Sequence, residues 1–415
     1  MMKFSFRNNN LYPLMLLLFI FLRISVEKNL TIHPYKKNIE FVISFLIFFS
    51  QCLIGSIIVL FFYCKKNKEV ENSRTSSSFT YNQISTLAKT MNISYITDDN
   101  KYKKFFLIIF TSFFNFIGST IRNDDVINFG RKEENNSQLE IRIRSIQIII
   151  SSLLCHFTIR LKIYKHQKLS LIVISFFLLF LISMELYISS SIKNKILSML
   201  ICVMSCLSRA LMDVTEKYLF DYDYINIFSM LVYEGLIGII CFIVFFFNNK
   251  NYQNEGKNIL KDMSKFNWSL ISFILLSLLY TIISGFKNAY RVKTNKYYSP
   301  MSRALFESTL DPFLFIYNIL TQNNNEAIKQ LKWIYFSLVV FSLSVIAFFS
   351  LVYNDFIILY CCGLEYNTYT EINKRINSDN KIQRKNTEYS IMDETLSEES
   401  EEEKTEEKHV MKNLK

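Results

Sequence analysis

Residues 299–320 read SPMSRALFESTLDPFLFIYNIL, a stretch long enough to cross a bilayer as a helix. Its polar residues are not scattered. Arg303, Glu307 and Asp311 fall at i, i+4 and i+8, a single row on one helix face. Phe306, Leu310, Phe313, Leu314 and Ile316 cover much of the remainder. A charge inside a bilayer costs kilocalories unless it faces a protein interior or a water-filled path. Three in a row therefore predict a polar cavity for them to face.

The rest of the chain fits that reading. Half of the 415 residues are hydrophobic and 16% are aromatic. Mean hydropathy is +0.18 although 20% of residues are charged. The charge sits in short loops and a tail, between long apolar blocks, which marks an all-α, polytopic membrane protein. The net charge of +11 does not argue for nucleic acid, because the basic residues cluster where membrane topology alone explains them. Of the cysteines, Cys52, Cys155, Cys202, Cys206 and Cys241 lie inside apolar blocks and read as small core residues rather than a disulfide framework. Heavy use of Ile, Phe, Lys and Asn suggests an AT-rich eukaryotic genome, and the location expected is an internal membrane of such a cell.

Apolar blocks predict about ten transmembrane helices, at 11–22, 41–63, 105–121, 143–159, 169–188, 196–219, 227–247, 268–286, 299–320 and 333–353, the last running on towards Leu359. The first is short and reads as a retained helix or a removed leader. Residues 64–104 and 122–140 are enlarged polar loops. The organisation is a first five-helix repeat over 1–190, a second over 191–363, and a tail from 364 to 415. That tail holds SEESEEEKTEEK, cannot bury a core and should be disordered and cytosolic. Lys65–Lys68, the basic 160–168 loop and the group Lys287, Arg291, Lys293 and Lys296 all fall on even-numbered loops. The positive-inside rule places these loops and both termini in the cytosol. The sequons at Asn29, Asn135 and Asn267 agree with this topology, and that at Asn92 does not. Thr395 and Ser400 read as an acid-flanked part of a solvated tail or as phosphorylation sites, and Cys361 and Cys362 as candidates for lipidation.

Other helices repeat the polar theme. Arg209, Asp213 and Lys217 are spaced by four, with Glu216 beside them. Glu216 and Lys217 read best as a helix end reaching the interface, whereas Arg209 and Asp213 read equally as an internal ion pair lining a path. Arg144, Gln147, Ser151 and Cys155 share one face of the fourth span. Glu234, followed by Gly235 and Gly238, reads as helix–helix glue or as a coupling carboxylate. Polar fourth and ninth spans in corresponding places are the pattern of two inverted five-helix repeats with a site at their interface. Pro312, after Asp311, should bend the ninth span.

Three stretches carry a resemblance: NAYRVKTNKYYSPMSRALFESTLDPFLFIYN (288–318), EKYLFDYDYINIFSMLVYEGLIG (216–238) and RSIQIIISSLLCHFTIRLKIYKHQ (144–167). In these the chain resembles the drug/metabolite transporter superfamily, near its solute carrier 35 F-type and nucleotide-sugar-transporter-like branch. The resemblance implies ten helices in two inverted repeats, with the fourth and ninth lining a central cavity, and would place Arg144, Ser151, Arg303 and Glu307 there. The first half, with its short first span and enlarged loops, departs from the pattern.

The function expected is secondary transport by alternating access. Arg144 and Arg303, with Gln147, Ser151, Glu307 and Asp311, would receive a small anionic cargo, a phosphorylated or carboxylate metabolite. Arg209, Asp213 and Glu234 are ion-pair or coupling candidates, the coupled species being a proton or an antiported solute. An equal reading has Arg303, Glu307 and Asp311 neutralise one another and lock the helix. No cofactor or metal is expected. Only four histidines and no metal-ligand cluster argue against a membrane enzyme. No phosphate-binding loop argues for an ATP-driven pump. The alternative class is a non-transporting receptor or scaffold that uses the charged tail.

Overall fold

The structure, a computed structural model, describes residues 2–4, 11–32, 39–76, 101–130, 145–159, 163–188, 192–223, 225–248, 250, 253–254, 257, 268–321, 333–360, 363–368, 371–372, 374–375 and 378. Arg144, Asn92, Asn135, Asn267, Cys361, Cys362, Thr395 and Ser400 lie outside the described residues.

The chain divides into two compact units. The larger is helical: α1 (Leu11–Ile32), α2 (Ile39–Ser76), α3 (Lys101–Gly130), α4 (Ile146–Thr158), α5 (Lys165–Ile188), α6 (Ile192–Asp221), α7 (Ile227–Asn248), α8 (Trp268–Tyr297), α9 (Pro300–Ser308), α10 (Asp311–Thr321) and α11 (Trp333–Tyr353). Five of them hold stretches long and apolar enough to cross a membrane: Val42–Cys64, Lys165–Met184, Ile227–Asn248, Leu270–Tyr297 and Trp333–Tyr353. The protein is therefore an all-α, multi-pass membrane protein in its main body. Of the others, α4 has only 13 residues, α1 carries Arg23, Glu27 and Lys28 within its length, and α3 has charges towards both ends.

Several helices outrun the apolar blocks that announce them. α1 continues ten residues beyond Leu22, because Arg23 and Glu27 pair at i, i+4 and Arg23 finds a buried partner on α8. Val26 and Leu30 then pack with Ile43, Ile47, Tyr280 and Ile283. α2 runs to Ser76 and α3 to Gly130, into segments expected as loops. The ninth span is two helices. Pro312 has no N–H to return to Ser308, and the chain crosses the break in a tight turn, Thr309 N to Phe306 O and Leu310 N to Glu307 O, both 3.2 Å. The Thr309 hydroxyl donates to Phe306 O at 2.7 Å and the Ser308 hydroxyl to Leu305 O at 3.0 Å, occupying carbonyls at the break.

α2 and α7 meet closely. A Cβ on Gly235 would strike the backbone of Cys52, and one on Gly238 the ring of Phe48. α3 packs on α6 and α7, α8 on α1 and α2, and α4 on α6 and α9. A second core joins α4, α5, α9, α10 and α11 around Ile148, Ile174, Leu305, Phe315 and Leu343.

The smaller unit comprises Met1–Ser5, Tyr164–His166 and Asp355–Lys415. Within it β1 (Met2–Phe4) pairs antiparallel with β2 (Ile357–Leu359), a departure from the all-α expectation confined to six residues. α11 stops at Tyr353 instead of running on to Leu359, since Asp355 adopts φ 61°, a left-handed conformation that ends a helix. Glu365–Asn367 forms a 3-10 turn at the start of the segment expected to be disordered, and everything beyond 378 lies outside the described residues.

Candidate functional site

The site begins with one face of α8. Tyr280, Ser284, Asn288, Arg291 and Asn295 recur at helical spacing, and all five are buried. Sequence reading assigns Lys287, Arg291, Lys293 and Lys296 to a cytosolic loop, but α8 extends to Tyr297 and makes them its last three turns. The helix continues because α1 continues beside it. Tyr12 stacks on Tyr297 at 5.1 Å, and Phe19 on Phe286 and Tyr290 at 5.5 Å each.

Arg291 is the hub. Its Nη1 lies 2.6 Å from Glu216 Oε1 of α6, and its Nη2 lies 2.6 Å from Glu234 Oε2 of α7. Nη1 is also 3.6 Å from Asp213 Oδ1. The other oxygen of Asp213 accepts from Arg303 Nη2 of α9 at 2.5 Å and from Gln147 Nε2 of α4 at 3.1 Å. Arg303 Nη1 donates to Glu307 Oε1 at 2.9 Å. Amides complete the shell. Asn295 donates to Glu216 Oε2 at 2.8 Å and to the Asp213 carbonyl at 2.8 Å. Asn115 of α3 donates to Glu234 Oε2 at 3.3 Å and to Gln51 Oε1 of α2 at 3.2 Å. Two guanidiniums and four carboxylates are thus tied across α6, α7, α8 and α9, and each charge has a partner of opposite sign.

A cavity of about 840 Å³, its open mouth included, adjoins this network. It lies between α1, α2, α3, α6, α8 and α9. Five cations line it, Arg23, Arg209, Lys287, Arg291 and Arg303, against the two acids Glu27 and Glu307. Gln51, Asn115, Ser119 and Asn288 add amides and a hydroxyl. Asp213, Glu216 and Glu234 are not in the wall; they stand behind it and hold Arg291 and Arg303 in place. Arg23 is fixed separately, its Nε donating to the Tyr280 hydroxyl at 3.0 Å.

Of the residues singled out by sequence, Arg303, Glu307 and Arg209 line the cavity. Asp213 and Glu234 belong to the supporting network, and Gln147 reaches it through Asp213. Ser151 is buried in α4 and Asp311 begins α10; neither lines the cavity. Arg144 lies outside the described residues. Glu216, expected at the membrane interface, is instead fully buried, because the extended α8 brings Arg291 and Asn295 to it. Lys217, expected there too, is also buried; its Nζ donates to the Lys296 carbonyl at 2.6 Å and lies 3.3 Å from Asp221. Arg23, Glu27, Gln51, Asn115, Lys287, Asn288, Arg291 and Asn295 were missed. The signal was present on α8, where Ser284, Asn288, Arg291 and Asn295 follow helical spacing past the apolar block.

Comparison with models of known families finds no match for this sequence, and comparison with curated proteins finds none.

Proposed function

We propose that the protein is a secondary transporter that moves a small anionic metabolite by alternating access. The observation that carries this reading is the cavity wall, where five cations face two acids inside a helical membrane protein. Arginine suits carboxylate or phosphate because its planar fork donates two parallel hydrogen bonds. The carboxylates behind the wall keep Arg291 and Arg303 oriented while the cavity is empty, so an arriving anion meets donors already in position. Glu307 shares Arg303 with Asp213, and a cargo anion at Arg303 would compete with it.

The helix pairing supports two five-helix repeats. If α9 and α10 together count as the ninth helix, adding five to each number turns α3–α6 into α8–α1 and α3–α7 into α8–α2. The pairs α2–α7 and α4–α9 map onto themselves. The same relation supports a site between the halves, since α1, α2 and α3 line one side of the cavity and α6, α8 and α9 the other. The ten-span count, with both termini cytosolic, belongs to this proposal.

Counterflow into proteoliposomes loaded with pooled nucleotide sugars, sugar phosphates, carboxylates or nucleosides tests it. Exchange from an anionic pool, lost in Arg303→Ala while the protein stays folded, is the expected result. Exchange of neutral nucleosides alone, or undiminished exchange in Arg303→Ala, would overturn the reading. A purely structural role for the network predicts that Arg303→Ala lowers folded yield and leaves the exchange of surviving protein unchanged.

A further inference from the structure

The charges of the buried network do not balance. Arg291 and Arg303 together face Asp213, Glu216, Glu234 and Glu307, four carboxylates on two guanidiniums. The crowding is sharpest at Arg291, whose fork holds Glu216 by one nitrogen and Glu234 by the other. Clamped in that way, the two carboxyl groups come within hydrogen-bonding reach of one another. Both side chains are fully buried. Glu216 Oε2 accepts from Asn295, and Glu234 Oε2 accepts from Arg291 and Asn115. Glu234 Oε1 is buried and accepts no hydrogen bond among the described residues.

Two ionised carboxylates in contact, away from water and with one guanidinium between them, repel one another and leave that oxygen unsatisfied. One proton resolves both problems. We infer that Glu216 and Glu234 form a proton-binding pair that shares a single proton, held between Glu234 Oε1 and the carboxylate of Glu216. Bound, it reduces the charge of the pair from two negatives to one, which Arg291 matches.

The other groups facing the pair from neighbouring helices do not supply the missing charge. α3 and α2 offer the neutral amides of Asn115 and Gln51, and α8 adds the amide of Asn295. From α6, Asp213 adds a further negative charge, while Lys217 is directed to the Lys296 carbonyl and Asp221. From α9, Arg303 is engaged by Asp213 and Glu307. Arg209 and Lys287 stand in the cavity wall.

This inference rests in part on the transport reading for its use. Arg291 belongs both to the pair and to the cavity wall, so a proton on the pair and an anion on Arg291 act on the same charge. Losing the proton leaves Arg291 over-committed to its carboxylates; binding it leaves the guanidinium available to cargo. Proton and anion then favour each other's binding, which is the linkage a proton-coupled carrier needs.

The test does not depend on cargo. Infrared spectra of the purified full chain at neutral pH report the carbonyl stretch of any neutral carboxylic acid, since ordinary exposed carboxylates are ionised there. The expected spectrum holds such a band, shifted by 13C-glutamate labelling of the unmutated protein and untouched by 13C-aspartate labelling. It is lost in Glu234→Gln and in Glu216→Gln and survives in Glu307→Gln. No band at all, a band that moves with labelled aspartate, or one that disappears only with Glu307→Gln would each overturn the pair. Labelling needs no substitution, so a variant that fails to fold leaves the inference open to refutation. A positive spectrum beside failed counterflow would separate the proton site from the transport reading.

Discussion

Arg291 holds Glu216 and Glu234 in one fork, 2.6 Å from each, and so joins three helices through a single guanidinium. None of the three residues is more than 3% exposed. In a bilayer, where apolar surface gains little by leaving lipid, such polar ties contribute directly to how helices are held together.

Arg291→Ala should be among the most damaging single substitutions. It leaves Glu216 and Glu234 buried without their cation, and loss of one partner of a buried pair costs about 3–5 kcal/mol. Arg209→Ala, in the cavity wall, should cost well under half as much. Thermal unfolding of the two variants in the same detergent checks this, and equal losses would show that Arg291 is not the hub.

Tyr280→Phe removes the hydroxyl that accepts from Arg23 Nε at 3.0 Å and leaves the ring in place beneath the guanidinium. A hydrogen bond to a charged group contributes about 1.5–3 kcal/mol. We expect a loss of stability in that range, with packing of α1 on α8 retained. A change below ~0.5 kcal/mol would mean that another group takes the donor.

Gly235→Ala should separate α2 from α7, because its Cβ meets the backbone of Cys52, which cannot rotate away. Overpacking of this kind costs about 1–3 kcal/mol. Gly118→Ala is the comparison. Its nearest neighbour is the flexible stem of Arg209 at 3.2 Å, and the change should be mild. Monodispersity on size exclusion after heating orders the two, and Gly118→Ala proving the worse would reverse the argument.

Lys287→Ala removes a cation from the cavity wall without touching the carboxylates that anchor Arg291 and Arg303. Loss of one charged hydrogen bond to an anion, about 1.5 kcal/mol, corresponds to roughly tenfold weaker apparent affinity in counterflow. Folded yield should stay near that of the parent. Unchanged exchange would remove Lys287 from the binding wall.

Cys64 is exposed at the end of the apolar part of α2, whereas Cys155 is buried in α4. With the other cysteines replaced, Cys64 should react with a membrane-impermeant maleimide only after the cytosolic face is opened. Cys155 should react only after unfolding. Labelling of Cys64 from the opposite face would invert the proposed topology.

The membrane class was legible in the sequence because long apolar blocks with charge confined between them have no other stable use. The polar row on the ninth span was legible as well: Arg303 and Glu307 are four apart, and a helix must place them on one face. The same spacing misled at Asp311, since the break before Pro312 starts a new helix and removes Asp311 from the row's surface. It also misled at Glu216 and Arg291, which look like an interfacial acid and a loop cation when hydropathy alone marks where helices end.

What the sequence by itself determined is therefore local: which stretches are helical, which are apolar enough for lipid, and which charges share a face. Pairing was decided by the tertiary structure. Whether Glu216 reaches for water or is buried depends on α8 continuing three turns beyond its apolar block, and α8 does so because α1 runs alongside it. Whether Arg303 lines a cavity or locks a helix depends on Asp213, 90 residues away in the chain, arriving behind it. A buried charge takes its role from the sign and distance of its neighbours, and on this scale those neighbours come from other helices.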